Sequence, residues 1–276
     1  MALALMLALL PGGAGDVLAA ITAPVDESAP RPLKRTILAL YDSASARRPH
    51  QTAVHEYAEL PLNHLGLRLT FVDVRAPLPT LREDDDVRGA LVWFDGASRE
   101  RPGQIIDWLD RLLDLGRKLV VVGEIAGGAG NPQEVRLLTR LGVRLTPDYV
   151  AVPLNARAEV LDSDLLEFEH RLLSPLPPYP IARAIPPLGR AALQVARPGQ
   201  PQSVPDPLVS SAAGAWVADG YSHYVHYESR KKREWRRWYL NPFELFGRAY
   251  ATAGMPILDT TTLAGRRMYY SHIDGD

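Results

Sequence analysis

At 276 residues the chain can bury one sizeable core and a second, smaller unit. Its 31 basic and 32 acidic residues leave a net charge of -1, so no global field recruits nucleic acid or an anionic membrane surface. The absence of cysteine excludes disulfides, thiolate metal sites and a cysteine nucleophile, and fits either redox compartment.

The first residues, "MALALMLALLPGGAGDVLAA", carry an apolar run from Ala2 to Leu10 and a small-residue stretch. That is the pattern of a secretory signal, except that no Lys or Arg precedes it. The run is too short to span a bilayer; the alternative is a disordered apolar N-terminus. Residues 1–35 are thus expected to be a signal-like segment followed by a Pro- and Ala-rich linker.

The organised part begins at Thr36. "TILALYD" is a continuous apolar run, which suits a strand buried on both faces. Residues 50–66 have a helical period through Val54, Tyr57, Ala58, Leu62 and Leu65, stopped by Gly66. "LRLTFVDV", "GALVWFD" and "RKLVVVGE" read as three further strands. "PGQIIDWLDRLLDLG" and "NPQEVRLLTRLG" read as helices, the second with Asn131 as N-cap and Pro132 in first position. This alternation predicts an α/β fold with a doubly wound parallel sheet. Leu38, Leu40, Leu69, Phe71, Leu91, Trp93, Val120 and Val122 are expected on buried positions.

Parallel sheets bind ligands beyond their C-terminal strand ends. Asp42, Asp95 and Glu124 stand there and form a candidate sheet-edge site. The turn after the first strand lacks the glycines of a phosphate loop. Only Asp42 fits the acidic pair of a receiver domain, and an amidotransferase would need a cysteine. "GGAG" after Glu124 reads as a flexible turn before it reads as a phosphate cradle, because no GxGxxG follows the first strand.

From about residue 147 the pattern becomes β-rich. "LDSDLLEFEHRLL" is expected to be helical, "PFELFGRAYA" to be a helix, and "RRMYYSHID" to be a closing strand. Residues 228–238, "ESRKKREWRRW", interleave basic and aromatic residues. Binding to nucleic acid or an anionic glycan is one reading; a solvated hairpin with its tryptophans packed inward is the preferred one. His223 and His226 fall on opposite faces of a strand, which makes them poor joint metal ligands.

"YDS" followed by "LPLNHLGL", then "DVRGALVWF", "RRWYLNPFELFGRA" and above all "TTTLAGRRMYYSHIDGD" resemble the segment preceding the deacetylase domain in Pel-type exopolysaccharide deacetylases. The resemblance covers most of residues 36–276, and "SHIDGD" is its most specific piece. It implies a flavodoxin-like or glutamine-amidotransferase-like α/β accessory domain with a β-rich extension over residues 36–265. Residues 266–276 would then begin a NodB-type deacetylase domain. In the full-length parent, Asp274 would be the general base and Asp276 a ligand to a zinc-like divalent metal, with no cofactor in this segment itself. The expected location is periplasmic or secreted. The expected partners are a polysaccharide or exopolysaccharide-export proteins, not nucleic acid or a membrane surface. A metal that activates water needs about three protein ligands, so the segment alone is expected to be inert. The alternative is an independent small-molecule-binding or enzymatic domain using Asp42, Asp95 and Glu124.

Overall fold

The computed structural model describes residues 32–45, 48–94, 96, 100–151, 155–196, 205–229, 233–257, 262–263 and 266–267. In chain order the elements are β1 (Thr36–Tyr41), α1 (Glu59–His64), β2 (Arg68–Asp73), β3 (Val87–Trp93), α2 (Pro102–Asp114), β4 (Lys118–Val122) and α3 (Pro132–Arg140). There follow β5 (Val143–Val150), β6 (Arg157–Val160), β7 (Tyr179–Ala184), β8 (Gly189–Ala196), β9 (Leu208–Ser211) and β10 (Gly214–Val217). The last are β11 (His223–Glu228), β12 (Arg233–Trp238), α4 (Pro242–Ala249), β13 (Thr262–Leu263) and β14 (Arg266–Arg267). Among the described residues no helix is long and apolar enough to cross a membrane.

The architecture is mixed α/β around one eight-stranded sheet of order β2-β1-β3-β4-β10-β9-β8-β6. Neighbours from β2 to β10 pair in parallel, and β9, β8 and β6 continue the sheet antiparallel. The apolar runs dictate the centre: Ile37–Leu40, Gly89–Trp93 and Leu119–Val122 are buried at consecutive positions. Consecutive burial requires cover on both faces of the sheet. α1 packs beside α4, and α2 beside α3. Leu69 and Phe71, expected to be buried, are only half-buried, because β2 is the edge strand and its side chains lack a neighbour on one flank.

The β-rich segment completes the sheet instead of standing apart from it. β10 lies against β4 as the fifth parallel strand, and all four of its residues are buried. Gly214 makes this possible. Its φ is +147°, and a Cβ there would stand 1.8 Å from the Leu119 carbonyl oxygen.

Helices α3 and α4 begin alike, with Asn, Pro and a glutamate two residues on. Asn131 accepts hydrogen bonds from the N–H groups of Gln133 and Glu134, and Asn241 does the same for Phe243 and Glu244. The end of α4 is fastened to the sheet by Tyr250, whose buried hydroxyl donates to the Ala90 carbonyl at 2.9 Å.

Residues 161–173, expected to be helical, are not. Their backbone is pinned to the strand end at residues 238–240: Phe168 N–H donates to Tyr239 O, and the N–H groups of Glu169 and His170 donate to Trp238 O. Those long-range bonds take the donors a helix would use, and they override local propensity. Of the expected closing strand, Arg266–Arg267 pairs antiparallel with Thr262–Leu263. The remainder, with residues 1–31, lies outside the described residues.

Candidate functional site

Two concave regions open near the C-terminal ends of the parallel strands. The first is an aromatic cleft of about 730 Å3 between the β1–β2 crossover and the β11–β12 hairpin. The crossover is not a uniform helix. Pro61 has no N–H to donate back to Tyr57, and the preceding residues Val54–Ala58 form a π turn in which Glu59 N–H reaches Val54 O. That turn carries His55, Glu56 and Tyr57, all of which line the cleft.

Tyr57 is its centre. Its ring stacks on His223 at 4.2 Å and on Trp93 at 5.4 Å, with Trp238 edge-on at 5.9 Å. The Arg236 guanidinium lies 5.3 Å from the Tyr57 ring centroid and is ion-paired to Glu56 and Glu234. Burial, followed by the positive charge of Arg236, pushes the His223 imidazole below its ordinary pKa. His223 is thereby held neutral, its Nδ1 2.9 Å from the Ser222 hydroxyl. Glu169, also on the wall, accepts the Trp238 backbone N–H at 2.8 Å. The result is a bed of aromatic faces ringed by donors and acceptors of both signs.

The hairpin register separates its side chains as the strand period requires. His223 faces Trp238 on the cleft side, whereas His226 faces Trp235 on the other. The expectation that both tryptophans pack inward therefore holds for Trp238 alone; Trp235 is on the outer face and 41% exposed.

The second region is a cavity of about 230 Å3 beyond β4 and β10. Its walls include Phe94, Tyr149, Trp216, Pro178 and Pro180, and its acids are Glu124, Glu134 and Asp219. Glu134 is completely buried and accepts three backbone N–H groups, from Ile125 (2.8 Å), Ala126 (2.8 Å) and Gly128 (2.9 Å). The "GGAG" loop is thus neither a loose turn nor a phosphate cradle. With Ile125 and Ala126 before it, its Gly128 N–H cradles an anion, and the anion is the chain's own carboxylate. Glu124 has no such donors. Partial burial, then the charges of Glu134 and Asp219, push its carboxyl up.

Of the sheet-edge residues, the two that are described, Asp42 and Glu124, do not line one cavity. Asp42 is buried and accepts from Arg75 Nε at 2.6 Å and from Ala44 N–H at 2.9 Å, which closes the turn after β1. It is not among the residues lining the cavity at Glu124. Asp95, Asp274 and Asp276 lie outside the described residues. Sequence reasoning missed the cleft, whose parts come from distant segments. It also missed Glu134, although an Asn-Pro-x-Glu helix start is a visible sign that the glutamate reaches back toward backbone donors. Compared with known proteins, the chain matches no family model and no curated sequence.

Proposed function

We propose that the chain is an accessory, non-catalytic α/β domain of a secreted or periplasmic polysaccharide deacetylase, and that it positions a glycan along the aromatic cleft. The observation that carries this reading is the cleft itself. Sugar rings present apolar C–H faces, which pack on aromatic faces, and hydroxyl groups, which need donors and acceptors around the rim; Tyr57, Trp238, His223, Glu56 and Arg236 supply both. An exopolysaccharide, or the proteins that export it, would be the partner.

In this reading the five parallel strands, in the order β2-β1-β3-β4-β10, are a doubly wound, flavodoxin-like sheet. Right-handed crossovers running outward in both directions from β1 and β3 put α1 and α2 on opposite faces. The order reverses between β1 and β3, where such sheets hold ligands. Tyr57, from the crossover after β1, and Trp93, at the end of β3, stand there. In this reading Asp276 would be one of the roughly three protein ligands that the parent family's zinc-like ion needs. The alternative, an independent small-molecule domain, draws on Glu124, the one described sheet-edge acid that faces a cavity.

The test is a fluorescence titration of the chain with a panel of N-acetylated hexosamine oligomers. Saturable tryptophan quenching is expected, weakened at least about tenfold in Trp238→Ala, a loss of roughly 1.4 kcal/mol. The exposed-rim variant Arg237→Glu, which leaves the aromatic bed intact, is expected to weaken it less. Absence of binding, or binding indifferent to Trp238→Ala, would remove the reading. Incubated with the same oligomers and a divalent metal, the chain is expected to release no acetate above buffer.

A further inference from the structure

The cavity beyond β4 and β10 has no part in glycan positioning, yet it is built as a site. We propose that it binds a small organic cation, an ammonium group carried on an apolar or aromatic body. At about 230 Å3 the space exceeds the roughly 150 Å3 that suffices for benzene in an apolar cavity, so a six-membered ring with an amine fits.

The walls select the body. Phe94, Trp216, Tyr149 and the prolines Pro178 and Pro180 offer apolar surface and ring faces, and ring faces attract cations. Trp216 is held in place, buried within β10, with its indole N–H directed to the Gly123 carbonyl at 3.3 Å.

The carboxylates select the charge. Glu134 has its charge met by three backbone N–H groups. Among the described residues Asp219 accepts one backbone N–H, from Gly220 at 3.0 Å. Glu124 has no hydrogen-bond or ion-pair partner among the described residues. Among the described residues no Lys or Arg lines the cavity. An anion would meet uncompensated like charge, and a neutral molecule would leave it in place. An ammonium group would offset part of the combined charge of Glu124 and Asp219.

Glu124 also lies close against the loop. Gly128, at φ +58°, passes so close that a Cβ there would lie 2.9 Å from Glu124 Oε1, and the Gly128 N–H is tied to buried Glu134. The backbone beneath the Glu124 carboxylate is therefore fixed by Glu134.

Saturation-transfer NMR on the full chain with benzylammonium, benzyl alcohol and benzoate tests the proposal. Benzylammonium is expected to bind at least about tenfold more tightly than the alcohol, and benzoate least of all. The double variant Glu124→Gln/Asp219→Asn changes two exposed side chains and is expected to fold. It should lose the preference for ammonium while keeping contact with the alcohol. No saturable transfer from benzylammonium, an alcohol that binds as tightly, or a preference that survives in the double variant would each overturn the assignment.

Discussion

The aromatic cleft and the acid-lined cavity both sit near the C-terminal ends of the strands, but they manage polarity in opposite ways. In the cleft the arginine over the aromatic bed has internal partners: Arg236 is held by Glu56 and Glu234, and beside it His55 meets Glu59, while Arg237 stands on the rim. His223 is held neutral. In the cavity the one fully buried charge, Glu134, is satisfied by the loop it organises, while Glu124 is left unmet. A paired surface offers itself to neutral partners through shape and ring faces. An unpaired charge over aromatic walls asks for its opposite. The difference is electrostatic, and it can be probed one residue at a time.

The largest effect should come from the carboxylate that builds the cavity. Glu134→Ala leaves three backbone donors without their acceptor in a buried loop, and about 3–5 kcal/mol of stability should be lost in denaturant unfolding. A loss below about 1 kcal/mol would show that the loop stands without it. On the cleft side, Tyr57→Ala removes the ring on which Trp93, His223 and Trp238 converge. Roughly 2 kcal/mol should go, a smaller loss because the ring is half-buried.

The next effect is in pH. The folded chain holds His223 below its ordinary value of 6.5, so between that value and the folded one the unfolded state binds more protons. Stability contributed by His223 is therefore whole above about pH 6.5 and falls as pH drops, by at most about 1.4 kcal/mol per unit. His223→Phe should flatten the melting-temperature profile from pH 6.5 to 5.5; an unchanged slope would assign it elsewhere. The smallest effect has the opposite sign. Glu124 is raised from 4.5, so its charge costs the folded state at neutral pH. Glu124→Gln should melt no lower at pH 7, within about 0.5 kcal/mol given its exposure, and the difference should vanish near pH 4.

What could be read from the sequence was local. "TILALY", "GALVW" and "KLVVV" announce buried strands by composition alone, and the Asn131-Pro132 start of α3 announces its own cap. "LDSDLLEFEHRLL" has a helical pattern too, but its donors go to residues 238–240, and no period in the segment records that. The cleft is hidden for the same reason: Tyr57, Trp93, His223 and Trp238 come from four places in the chain and meet only through the sheet. Glu134 was in view as the third residue of a capped helix. Its target, the loop N–H groups, was not. The matching Glu244 in α4 instead pairs with Arg248 on its own helix, so an identical start leads to different partners.

The placement of β10 carries a consequence for the order of events in folding. Its partner β4 precedes it by a long excursion through α3, β5, β6, β7, β8 and β9, and it seals the flank of β4 only when Gly214–Val217 arrive. Until then the "KLVVV" edge is open, and an open apolar edge is a template for pairing with another chain. Closing so long a loop is slow in proportion to the entropy it removes. The amides of β4 on that flank should accordingly gain protection late and together with those of β10 in pulse-labelling hydrogen exchange. The interval before that step is when a single chain is most exposed to its neighbours.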